Sequence, residues 1–121
     1  MIVTEEQFTA AMRAAVEERG ADYVYPVWDR AGADDYHDKY GTCKYSTPDG
    51  TPACIVGLAL SKIDPALVPP YKHNAGAHDL NVLGAGSDLA YAAFAAQQEQ
   101  DDGGTWGSAL EQYLYVIGGA S

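Results

Sequence analysis

Apolar residues near the start of the chain recur at the spacing of one helix face: Phe8, Ala11, Met12, Ala15 and Val16 lie three or four apart with polar residues between them. The boundary signals agree. Thr4 and Gln7 have capping-box spacing, and Val3 and Phe8 have staple spacing. Glu5 and Glu6 suit the positive end of the helix dipole, Arg19 lies in the last turn, and Gly20 supplies a left-handed stop. A helix is predicted over 5–19. The pattern then changes to the aromatic and β-branched ADYVYPVWD, which predicts a short strand over 22–25 ended by Pro26.

Residues 29–41, DRAGADDYHDKYG, show neither helical nor alternating periodicity and read as a long exposed loop. TCKYS, 42–46, reads as a second strand antiparallel to the first, followed by a Pro48-Asp49-Gly50 turn. Beyond the turn, residues 51–55 fit either a hairpin arm or a helix start with Thr51 as cap and Pro52 at the first position. The spacing of Ile55, Leu58, Ala59 and Ile63 favours a helix over 53–63. The stretch 64–86 is irregular, with short helical turns near 65–68 and 78–83. Ser87 then caps a helix over 88–99 whose small face is Leu89, Ala92, Ala93 and Ala96. Thr105 caps a last helix over 106–117, striped by Trp106, Leu110, Tyr113, Leu114 and Ile117 and stopped by Gly118 and Gly119. The expected fold class is α+β, mostly helical. About four helices (5–19, 53–63, 88–99, 106–117) cover a small antiparallel ribbon (22–25, 42–46), in a single domain over 1–121 with the acidic and aromatic loop 29–41 exposed.

Composition narrows the function classes. With 121 residues, 47% hydrophobic and 20% charged, the chain has the size and balance of one folded domain. Seventeen acids against seven bases give a formal charge of −10, and no Lys or Arg follows Lys72. Such a surface repels phosphate backbones, so no nucleic-acid partner is expected; an acidic DNA mimic remains a minor alternative. The longest apolar run, CIVGLAL, is too short to span a bilayer, so no membrane partner is expected either. MIVTEEQF lacks the basic and apolar pattern of a signal peptide. The expected location is therefore the cytoplasm, where thiols are kept reduced.

The only cysteines, Cys43 and Cys54, have ten residues between them. Strand alternation across the turn points them to opposite faces, and with a reducing compartment this disfavours a disulfide. A metal site would draw on His37, Cys43, Cys54, His73 and His78, but their spacings lack the close pairs that structural zinc sites use. No metal or other cofactor is expected. A hydrolase reading would centre on Cys54 in the first turn of its helix, where the dipole favours thiolate. His73 or His78 would be the base, and Asp79 would orient it. A small buried thiol is the commoner fate of a cysteine beside Ile55 and Val56. Gly84-Ala85-Gly86 before Ser87 lacks the preceding strand and following Lys of a phosphate-binding loop.

Cys43-Lys44-Tyr45, with Gly50-Thr51-Pro52-Ala53-Cys54-Ile55-Val56-Gly57, resembles a C-x-Y…G-x-P-x-C-x-V-G pattern found in small proteins of actinobacteriophages and their actinobacterial hosts. The stretch from Gln100 to Leu110 is similar to a Q-D-x-G-x-T-W-G-x-A-L pattern of the same group. The resemblance implies a phage-encoded or phage-like accessory protein and carries no catalytic residues with it. Five of the nine tyrosines and two tryptophans fall within residues 23–40: Tyr23, Tyr25, Trp28, Tyr36 and Tyr40. Tyr and Trp dominate binding hot spots, and nearby acids steer basic partners. The expected function is non-enzymatic binding of a bacterial host protein through Trp28, Asp34, Asp35, Tyr36 and Tyr40, with homodimerisation as an accompanying option. The competing expectation is the thiol- or metal-dependent hydrolase.

Overall fold

The computed structural model describes residues 2–24, 45–47, 51–70 and 76–118. Helix α1 (Glu5–Arg19) opens on a complete capping box. Thr4 donates its amide to Gln7 Oε1 at 2.9 Å, and Gln7 donates its amide to Thr4 Oγ1 at 3.1 Å. Its buried residues are Phe8, Ala11, Met12, Ala15 and Val16, the face read from the sequence. Helix α2 (Ile55–Ile63), α3 (Asp88–Asp101) and α4 (Trp106–Ile117) follow, with 3-10 turns at Pro65–Leu67, Ala77–Asp79 and Asn81–Leu83. Helix α2 starts two residues later than expected because Cys54, not Thr51, takes the N-cap position.

Helix α3 packs chiefly on α4, and α1 chiefly on α2. Both helices bring buried side chains to the core, small ones from α3 (Ala92, Ala93 and Ala96) and bulky ones from α4 (Trp106 and Tyr113). Tyr113 ties α4 to α1 as well. Its ring meets Phe8 edge-on at 5.7 Å, and its hydroxyl shares a hydrogen bond with Thr9 Oγ1 at 2.6 Å.

The α+β expectation is corrected. The described residues form an essentially all-helical fold without a sheet, and extended pairing is limited to two isolated antiparallel bridges, Val24 with Thr105 and Ser46 with Pro52. The physical reason lies in where the backbone groups are spent. The first amides of a helix lack intrahelical acceptors, and here the carbonyls of Ala21 and Tyr23 accept from Gly107 and Trp106, each at 2.8 Å. The segment read as a first strand is thus consumed in satisfying the start of α4. Residues 45–47 turn instead onto 51–53: Thr47 donates to the Thr51 carbonyl at 2.8 Å and Ala53 to the Tyr45 carbonyl at 3.0 Å. The remaining positions of the expected ribbon, 25 and 42–44, lie outside the described residues.

Candidate functional site

The expected partner-binding residues Trp28, Asp34, Asp35, Tyr36 and Tyr40 lie outside the described residues, as do His37, Cys43 and His73. What the structure shows is how the two flanks of that stretch are held. On one side, Tyr23 meets Trp106 edge-on, 4.8 Å between ring centroids, and the Arg19 guanidinium lies 5.5 Å from the Tyr23 ring and 6.0 Å from the Trp106 ring. On the other side, Tyr45 is fully buried. Burial pushes its phenol up to about 12, partly opposed by a hydrogen bond with Gln97. A Cβ on Gly57 would overlap the Tyr45 carbonyl, so α2 offers that carbonyl a site only glycine leaves open.

Two glutamines organise the centre, and periodicity did not single them out. Gln97 accepts the Ala77 amide at 2.9 Å. Gln100 Oε1 accepts both the Ile55 amide at 2.8 Å and the Trp106 indole N–H at 3.1 Å. In the sequence they sit in QQEQDD, which has the look of a solvated helix end. Gln100 and Trp106 both lie within residues 100–110, and Ile55 lies within residues 50–57. These two stretches meet at one oxygen atom, and Tyr45 lies against Gly57.

Cys54 is fully buried at the N-cap of α2, with Sγ accepting from the Gly57 amide at 3.4 Å, and it is disulfide-bonded. Cys43, the only other cysteine of the sequence, is outside the described residues. The expectation of a reduced thiol is therefore corrected. Strand alternation does not apply to Cys54, because the helix begins at Ile55 and frees the cap side chain from the two-residue period. In this form Cys54 has no thiol for the helix dipole to ionise.

His78 lies against α3. Its ring stands 4.2 Å from Phe94 and 5.7 Å from Tyr91, stacked on the latter at 27°. Its Nε2 is 3.5 Å from Asp79 Oδ2, while Nδ1 is buried without a hydrogen-bond partner. Among the described residues no group of three or more His, Cys, Asp or Glu is arranged to hold a metal ion, and no helix is long and apolar enough to cross a membrane. An open depression is lined by Ile2, Asn81, Gly84, Ala85, Gly86 and Ser87. Its one hydroxyl is committed, since Ser87 Oγ donates to the Leu83 carbonyl at 2.9 Å and accepts the Ala90 amide at 3.1 Å. Compared with known proteins, the chain matches no family model, no curated protein and no solved structure.

Proposed function

We propose that this chain is a phage-encoded or phage-like accessory protein that binds a bacterial host protein through Trp28 and residues 29–41, without catalysis. The observation that supports this reading is the anchoring of both flanks. Tyr23 is held by Trp106 and Arg19, and Tyr45 is buried against Gly57. The intervening residues, with Trp28, Tyr36 and Tyr40 among four aspartates, are therefore tethered at each end to the packed helices. Tethering lowers the ordering cost that a free peptide of the same composition would meet on binding. Phage origin and action in a bacterial cytoplasm rest on the resemblance. The disulfide at Cys54 adds a condition, because such bridges persist mainly in oxidising surroundings.

Affinity capture from an actinobacterial lysate, in oxidising and in reducing buffer, followed by calorimetry with the captured protein, tests the reading. Trp28→Ala and Tyr36→Ala should each weaken binding about thirtyfold or more, the hot-spot scale, with unchanged circular dichroism. Equal capture by both variants and the parent protein counts against it.

A further inference from the structure

A second surface, built entirely from described elements, gathers aromatic and acidic groups on the turn before α3 and on α3 itself. His78 and Asp79 belong to the 3-10 turn Ala77–Asp79, while Asp88 and Tyr91 lie three residues apart on the first turn of α3 and share one face. The Gly86 amide donates to the His78 carbonyl at 2.9 Å and pins the turn beside the start of α3. Phe94 backs the His78 ring, and His78 in turn stacks on Tyr91. Tyr91 is 50% exposed and the Asp79 side chain 65% exposed, so an aromatic side chain and a carboxylate, each in contact with His78, are both open to solvent.

We propose that this patch docks an arginine-bearing segment of a partner protein, with a guanidinium stacked on Tyr91 and its N–H groups directed to Asp79 and Asp88. A planar guanidinium satisfies an aromatic face and a carboxylate at once, which a lysine ammonium does less well. The protein uses the same pairing internally, where Arg19 lies over Tyr23 and Trp106. Charge complementarity selects the occupant. The chain carries −10, and neither α3 nor α4 contains a Lys or Arg, so these helices bring no cation of their own to the patch. A second copy of the chain would bring like charge to it. The stack of Phe94, His78 and Tyr91 holds the aromatic face in place before binding, which lowers the ordering cost.

The test is an NMR titration of the full chain with a short peptide of alternating arginine and glycine, run beside its lysine counterpart. The expected result is amide shifts concentrated at His78, Asp79, Asp88 and Tyr91, with tighter binding of the arginine peptide. Tyr91→Ala and Asp79→Asn should each weaken that binding about two- to fivefold, the scale of an exposed cation–π or charge contact. Trp28→Ala should leave it unchanged, which separates this surface from residues 29–41. Shifts spread equally over Glu5 and Glu6 of α1, equal binding of the lysine peptide, undiminished binding by Tyr91→Ala, or peptide-free shifts at the patch that grow with protein concentration would each overturn the proposal. Tyr91 and Asp79 are exposed, and circular dichroism of the variants verifies that they fold.

Discussion

The side-chain oxygen of Gln100 accepts the indole N–H of Trp106 at 3.1 Å, and both side chains are fully buried. The same oxygen takes the Ile55 amide at 2.8 Å. One atom near the end of α3 thus satisfies the first amide of α2 and the largest side chain at the start of α4. Both helix starts are thereby fixed relative to α3.

Replacing Gln100 by Leu keeps the volume and removes the acceptor. Two buried donors are then left without partners, each costing about 1–3 kcal/mol. The expected loss of unfolding free energy is about 2–6 kcal/mol, read from urea denaturation followed by tryptophan fluorescence. A loss below 1 kcal/mol would show that the pairing is incidental.

Gly57→Ala separates local preference from tertiary fit. Helix propensity alone favours Ala over Gly by about 1 kcal/mol in the middle of a helix. Here the added methyl would overlap the Tyr45 carbonyl, which is backbone and held by the Ala53 amide at 3.0 Å. The expected outcome is a net destabilisation of about 1–3 kcal/mol, the cost of overpacking, measured by thermal or urea unfolding.

Alkaline stability should report on Tyr45. Burial raises its folded-state value to about 12 from an ordinary value of 10.0, so folding favours the protonated phenol. That contribution is complete below pH 10 and is lost as pH rises towards 12, amounting to about 2–3 kcal/mol over the window. Burial likewise raises Tyr113, and the hydrogen bond with Thr9 opposes it, so part of the alkaline loss belongs there. Tyr45→Phe should flatten the decline in unfolding free energy between pH 10 and 12 without abolishing it. An unchanged slope would remove Tyr45 from the account.

The candidate site was legible in unequal parts. The capping residues Thr4, Ser87 and Thr105 and the buried face of α1 could be read directly, because a cap and a stripe involve neighbours within one or two turns. His78 could be singled out by residue type, but its stacking on Tyr91 joins residues thirteen positions apart and follows only from how the 76–86 stretch lies on α3. Gln97 and Gln100 were hidden by composition. A glutamine on a helix end ordinarily faces water, and only the arrival of Ala77, Ile55 and Trp106 around them makes these two central.

By itself, the sequence determined the bounds of α1 and α4, the start of α3 and which face of α1 is buried, since capping, dipole and periodicity act over a few residues. The tertiary structure decided what the short extended stretches do. Residues 21–23 could have paired as a strand, but their carbonyls meet the unpaired first amides of α4, and a backbone acceptor serves whichever donor reaches it in the packed molecule. The same reason governs Cys54: its side chain left strand alternation when α2 began at Ile55, and a helix start is set by what can satisfy its amides, here the distant Gln100.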